Sequence, residues 1–137
     1  MAHYYNLYIS HSWKKNHELI RLRSLLENRP YFPVDFLEAS PDQPINSQNE
    51  KYIRQRLALK ISKADVLLVM AGVYATISDW ITFEMQVARS LGIPIIGVIP
   101  WGQSNISSTV RSFAVDIVGW NTESVVKSIR YHSKLIR

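Results

Sequence analysis

The sequence predicts an α/β fold in which one five-stranded parallel sheet lies between two layers of helices. Five short apolar runs alternate with longer amphipathic segments, as is typical of repeated strand–helix units. Two of these runs, residues 64–71 (ADVLLVMA) and 93–100 (IPIIGVIP), are continuously apolar, which indicates strands covered on both faces. The length of 137 residues suits one domain. We therefore predict a single domain over residues 1–137.

The predicted elements follow in a regular order along the chain. The strands comprise residues 5–10, 31–36, 64–71, 93–100 and 113–120. The helices comprise residues 14–27, 49–61 and 78–91, a short turn before residue 113, and residues 121–135. A polar segment at 37–49, rich in Ser, Pro, Asp and Asn, separates the second strand from the second helix, and loops of this length are often functional.

Particular residues indicate where these elements begin and end. Pro33 favours an edge position for the second strand, because proline cannot donate a backbone hydrogen bond. Ser78 is a predicted N-cap of the third helix and Gly92 its predicted end. Asn121 or Thr122 can cap the last helix. With right-handed crossovers, five strands in a chain of this size favour the flavodoxin-like order 2-1-3-4-5.

Composition limits the classes of partner and compartment. The chain has no cysteine, no apolar run long enough to cross a bilayer and no visible secretory signal, so we expect a cytoplasmic protein without a membrane partner. The net charge of +5 favours anionic partners. No nucleic-acid-binding motif is present. The last helix has four basic residues, which are interpreted as a solvated face: Lys127, Arg130, Lys134 and Arg137.

The predicted topology brings several loops to one edge of the sheet. In such folds ligands bind beyond the carboxyl ends of the strands, where the strand order reverses. The loops after the first and third strands lie at that position, and the loop after the second strand lies beside them. The candidate binding residues on these segments are Ser10, His11, Asp35, Phe36, Tyr74, Trp80 and Glu84.

Glu84, in the segment SDWITFEM, has two possible interpretations. The recurrence of Trp80, Phe83, Val87 and Leu91 predicts a stripe packed on the sheet, with Glu84 at its edge and directed towards the cleft. Alternatively, Glu84 is a solvated carboxylate near the helix start, where the helix dipole favours negative charge. The residue pattern leaves both interpretations open.

Several familiar chemistries lack their motifs. There is no Walker loop, no G-x-G-x-x-G and no G-x-S-x-G, and the loop after the first strand has no glycine for a flavin phosphate. A phosphoacceptor domain would need acidic residues near the first strand, and none precedes Glu18. We predict no metal site, because the four histidines have no metal-ligand spacing: His3, His11, His17 and His132.

The residues LYISHSW, the long loop after the second strand, ADVLLVMAGVYAT and WITFE together resemble Toll/interleukin-1 receptor (TIR) domains. The resemblance extends from residue 4 to about residue 133 and is greatest to the bacterial TIR-like group that includes the Thoeris anti-phage component ThsB. It implies a TIR-like version of the predicted three-layer fold.

The resemblance also implies a function. It implies that NAD is a substrate, with no further cofactor, and is cleaved to nicotinamide and ADP-ribose or a cyclic isomer. Glu84 would be the catalytic carboxylate, Trp80 would support the pocket and residues 37–49 would gate it. Ser10, His11 and Tyr74 would contact the nicotinamide side. The expected partners are an effector protein activated by the cyclic product and further copies of the chain in a homo-oligomer.

Two alternatives remain at this stage. One is a non-enzymatic TIR-type interaction module that uses residues 37–49 and the last helix as contact surfaces. The other is an enzyme resembling nucleoside deoxyribosyltransferases, which share the α/β plan and a working glutamate.

Overall fold

The computed structural model describes residues 4–10, 17–37, 50–72, 79–103 and 105–133. The strands are β1 (Tyr5–Ser10), β2 (Val34–Phe36), β3 (Val66–Met70), β4 (Ile95–Val98) and β5 (Asp116–Val118). The helices are α1 (His17–Glu27), α2 (Glu50–Ser62), α3 (Asp79–Ser90), α4 (Ser108–Phe113) and α5 (Thr122–His132). All strand pairs are parallel and their order is β2-β1-β3-β4-β5, so the predicted fold class and strand order are confirmed.

The two edge strands are shorter than predicted. Tyr31 has a positive φ of 61°, which is incompatible with a strand, and pairing with β1 starts only at Val34. At the other edge, Phe113 is the last residue of α4, and β5 begins at Asp116. Both strands were predicted too long, because the apolar residues that flank them belong to a turn before β2 and to helix α4 before β5.

The sheet separates two apolar layers. The odd-numbered residues of β1, Tyr5, Leu7 and Ile9, pack with buried residues of α1 and α5. Tyr8 points to the opposite face and packs with buried residues of α3. This alternation follows from the two-residue period of a strand. All five residues of β3 and all four of β4 are buried, as their continuous apolar sequences predicted.

The face that α3 turns to the sheet differs from the predicted one. Its buried residues are Ile81, Glu84, Met85 and Ala88. Trp80 and Phe83 instead pack against Ile53 and Leu57 of α2, and Leu91 is 49% exposed. The predicted stripe was wrong for Trp80, Phe83 and Leu91, because α3 has two apolar flanks and α2 covers the second one, whereas Val87 packs in the layer on the sheet as predicted.

The ends of two helices match their predicted signals. Gly92 has a φ of 72° after the last turn of α3, and the backbone N–H of Ile93 donates to the carbonyl of Ala88 at 2.9 Å. Asn121 is the N-cap of α5, where its side-chain oxygen accepts from the backbone N–H of Ser124 at 3.0 Å. Ser78 lies outside the described residues. Within the described chain, every helix is too short or too polar to cross a bilayer.

Candidate functional site

Two hydroxyl groups of β1 meet one carboxyl group of α3. Tyr8 and Ser10 are two residues apart and therefore project from the same face of β1. The Ser10 hydroxyl donates to Glu84 Oε1 at 2.5 Å, and the Tyr8 hydroxyl donates to Glu84 Oε2. Each carboxyl oxygen thus has its own hydrogen-bond donor.

This contact lies at the carboxyl end of the sheet. Ser10 is the last residue of β1, and β1 lies between β2 and β3, where the strand order reverses. Parallel α/β sheets bind their ligands at this point. The topology thus places the carboxyl group at the usual ligand-binding position of the fold.

Glu84 is buried rather than solvated. Only 6% of its surface is exposed, and Tyr8 and Ser10 are fully enclosed. It is the sixth residue of α3 and so lies in the second turn, beyond the first-turn amides that stabilise anions. The interpretation of Glu84 as a solvent-exposed residue near the helix start is therefore wrong.

Burial changes the acidity of this carboxyl group. Loss of contact with water raises the pKa of Glu84 from its ordinary value of 4.5 to about 7, because the ionised form is disfavoured in an apolar environment. The hydrogen bonds from Ser10 and Tyr8 act in the opposite direction and lower this pKa. Protonated and ionised Glu84 therefore coexist near neutral pH. A strongly shifted pKa at the usual ligand-binding position of a fold marks a candidate functional group.

Trp80 lies one helical turn before Glu84, but its ring contacts α2 rather than the sheet. Its ring meets the ring of Phe83 edge-on, with centroids 6.1 Å apart. The Arg54 guanidinium of α2 lies over both rings, 5.4 Å from the centroid of Trp80 and 4.7 Å from that of Phe83. These contacts fix α3 against α2, so they stabilise the position from which Glu84 projects.

Asp35 and Phe36 are not brought to Glu84. Asp35 is paired with Asn6, which lies four residues before Ser10, or about 13 Å along the strand at roughly 3.3 Å per residue. Asp35 is exposed, and its negative charge raises the pKa of Tyr4. The prediction that Asp35 lies close to Glu84 was wrong, because the register of the edge strand places Asp35 beside Asn6.

Phe36 lies on the other side of the sheet. It is paired with Leu7 and packs against the apolar layer of α1 and α5, where the Arg23 guanidinium lies 4.7 Å from its ring centroid. His11, Tyr74 and residues 38–49 of the predicted gating loop are outside the described residues. Among the residues that are described, no three His, Asp or Glu side chains are grouped as a metal site would require.

Tyr8 is the functional candidate that the sequence prediction missed. The sequence contained a signal for Tyr8, because Tyr8 and Ser10 are two residues apart in the first strand and must therefore share a face of the sheet. Its donation to the same carboxyl group as Ser10 makes it an equal member of the site.

Comparisons with known proteins identify the family and the fold. Residues 8–105 match the family model for the TIR-like domain of the Thoeris protein ThsB, and this range includes Tyr8, Ser10 and Glu84. No protein of curated function matches the sequence significantly.

Two solved structures are similar over nearly their whole length. A conserved protein from Enterococcus faecalis V583 has a TM-score of 0.63 at 13% identity, covering 94% of this chain and 99% of that chain. The CMP N-glycosidase BcmB of Clostridium botulinum has a TM-score of 0.57 at 12% identity, covering 92% and 98%. At these identities the similarity shows a shared fold.

Proposed function

The chain belongs to the TIR-like domain family of the Thoeris protein ThsB, and we propose that it is an enzyme that cleaves the bond between ribose and nicotinamide in NAD. The observation that carries this proposal is the buried carboxyl group of Glu84, which accepts from Ser10 and Tyr8 at the ligand-binding edge of the sheet.

The chemistry needs a single, well-placed negative charge. When the C1′–N bond breaks, its electron pair leaves with nicotinamide, which departs as a neutral molecule. Positive charge then develops on the ribose, as in the oxocarbenium-like transition state of glycoside cleavage. An ionised carboxylate in a largely dry site stabilises that charge far better than it would in water. One glutamate therefore suffices, because the leaving group requires no proton.

Ser10 and Tyr8 have two functions in this proposal. Their hydrogen bonds fix both oxygens of Glu84, so the carboxylate is oriented before the substrate arrives. They also oppose the effect of burial on the pKa of Glu84, which keeps part of the enzyme ionised at neutral pH. Without them, a larger share of the carboxyl groups would carry a proton and would lack the negative charge that the transition state needs.

Capture of the ribosyl cation decides the product. Attack by water gives ADP-ribose and releases one proton, whereas attack by a nucleophile within the same molecule gives a cyclic ADP-ribose and releases one proton. Membership of the family supports the cyclic product as the signal that activates an effector protein in cytoplasmic anti-phage defence. Assembly of the chain into homo-oligomers is part of this proposal.

A nucleotide N-glycosidase is the second candidate. It is favoured by the fold shared with BcmB, described as a CMP N-glycosidase. The bond to be cleaved again joins a ribose C1′ to a ring nitrogen, but cytosine is uncharged in CMP and needs a proton to leave as a neutral molecule. Protonated Glu84 would donate that proton and recover one from the water that attacks C1′ to give ribose 5-phosphate.

The test is to incubate the protein with NAD and, separately, with CMP, and to identify the products by mass spectrometry. Glu84→Gln keeps the shape of the side chain and removes its charge, and Glu27→Gln at the exposed end of α1 is the matched control. We expect nicotinamide release by wild type and Glu27→Gln only. Because the proposal includes assembly into homo-oligomers, extracts of infected cells are assayed beside the purified protein.

Each other result has a definite meaning. Release of cytosine but not nicotinamide would favour the nucleotide N-glycosidase. Equal nicotinamide release by Glu84→Gln would refute the role of Glu84. No product from either substrate, in purified protein and in extracts, would leave the non-enzymatic interaction module and the deoxyribosyltransferase-like enzyme, which the addition of nucleosides would distinguish.

A further inference from the structure

A recess lies on the opposite side of the sheet from Glu84. It is a groove of about 670 Å³ between α1 and the segments that follow β4 and β5. Its lining residues are Arg21, Ser24, Leu25, Trp101, Trp120, Asn121 and Thr122. Because α1 and α5 cover the face opposite α3, this groove is separate from the Tyr8–Ser10–Glu84 contact. Its size lies within the roughly 300–1,000 Å³ of typical small-molecule pockets.

Trp101 projects into this groove from a tight turn. The backbone N–H of Gln103 donates to the carbonyl of Pro100 at 3.1 Å, and Gly102 between them has a φ of 80°, as a type II turn requires. Trp101 at the tip of the turn is 71% exposed. An indole left in water forgoes the burial that normally stabilises aromatic side chains.

The turn is held in place on two sides. The side-chain amide of Gln103 lies 3.5 Å from a carboxyl oxygen of Glu18 in α1. The same side chain lies so close to Gly72 after β3 that a Cβ there would come within 2.6 Å of the Gln103 amide oxygen. The Gln103 side chain thus connects the turn to α1 and to the residue after β3, while the ring of Trp101 is exposed.

The second indole and the charge complete the recess. Trp120 is half-buried, and it packs against the core beneath α1 and α5 while it lines the groove. Arg21 is the one charged residue among the described lining residues. Of the neighbouring carboxylates, Glu123 follows Thr122 and is paired with Arg29 at 2.8 Å, and Glu18, one turn before Arg21 in α1, lies 3.5 Å from the Gln103 amide. The groove thus combines two flat apolar surfaces with a cation.

We propose that this groove is a binding site for a nucleotide, whose base stacks on Trp101 and Trp120 and whose phosphate pairs with Arg21. Indole rings accept any nucleobase by stacking, and a guanidinium binds phosphate oxygens with two donors at once. This site is distinct from the one at Glu84, and the proposal does not rest on the proposed function.

Adenosine 5′-monophosphate is a suitable probe, with adenosine and inorganic phosphate titrated separately. Binding is followed by the indole N–H signals in ¹⁵N-correlated NMR spectra, on the Glu84→Gln background so that nothing is consumed. Trp101→Phe and Trp120→Phe assign the two signals. Trp101→Ala and Arg21→Gln test the contacts, and Arg111→Gln, an exposed arginine on α4, is the matched control. The same spectra show whether each variant is folded.

We expect saturable shifts of the Trp101 and Trp120 signals, and weaker binding of adenosine and phosphate than of the nucleotide. Trp101→Ala and Arg21→Gln should each weaken binding about tenfold, which corresponds to one stacking or charge contact, whereas Arg111→Gln should not. The proposal is overturned if neither indole signal shifts on addition of the nucleotide. It is equally overturned if folded Trp101→Ala and Arg21→Gln both bind with unchanged affinity.

Discussion

Replacing Glu84 by glutamine should change how stability depends on pH. Burial raises the pKa of Glu84 from 4.5 to about 7 in the folded protein. In the unfolded chain the carboxyl group titrates at its ordinary value, so between these two values the folded state binds more protons than the unfolded state. The free energy of unfolding therefore falls as pH rises through this window. Glutamine has nearly the same shape and does not titrate, so it removes this dependence.

The size of the effect follows from the shift. At about 1.4 kcal/mol per pKa unit, ionising Glu84 in the folded protein costs about 3 kcal/mol once the pH exceeds 7. Relative to wild type, Glu84→Gln should gain up to this amount of stability between about pH 5 and about pH 8. Urea denaturation followed by tryptophan fluorescence at each pH measures the difference. Glu27→Gln controls for the loss of one carboxyl group from an exposed position.

A parallel pH dependence of wild type and Glu84→Gln would refute this reasoning. It would mean that the carboxyl group is as easily ionised in the folded protein as in the unfolded chain, and that burial on the inner face of α3 has no electrostatic consequence.

Three further predictions concern the hydrogen bonds to this carboxyl group, the packing of α3 on α2 and the N-cap of α5. Ser10→Ala and Tyr8→Phe each remove a hydrogen bond that lowers the pKa of Glu84, so the pH midpoint of nicotinamide release should move upward in both variants; a downward or absent shift would contradict the assigned contacts. Trp80→Ala should destabilise the protein by about 2 kcal/mol in urea denaturation, less than a fully buried aromatic residue, because its ring is half-buried against α2. Asn121→Ala should cost about 1 kcal/mol of unfolding free energy through loss of the α5 N-cap, and Asn121→Ser should restore most of it.

The sheet was predictable because its strong signals are local. The apolar runs of β3 and β4 and the alternation along the chain define the central strands, and crossover handedness then limits the strand order. The short edge strands lacked such a signal. Tyr31 and Phe32 are apolar like strand residues, but a positive φ at Tyr31 shows that the chain is still turning there.

The environment of Glu84 could be predicted only in part. Its nearness to Ser10 follows from the topology, but the helix carries two apolar flanks, one at Ile81 and Met85 and one at Trp80 and Phe83. A periodic pattern cannot tell which flank faces the sheet when another helix covers the other. The burial of Glu84, and with it its raised pKa, depends on that choice.

The register of β2 against β1 could not be predicted from the sequence. Asp35 lies in a predicted strand beside β1, and the sequence does not state which residue of β1 it will face. Pairing with Asn6 leaves it four residues short of Ser10. An edge strand of three residues is too short for its own pattern to fix its register.

The measurement that bears most directly on the role of Glu84 is the rate of nicotinamide release from NAD as a function of pH, for wild type and Glu84→Gln. If ionised Glu84 stabilises the ribosyl cation, the wild-type rate should rise with pH through about 7 and then level off, while Glu84→Gln stays at the background rate throughout. A Glu84→Gln enzyme that releases nicotinamide at the wild-type rate would contradict this account.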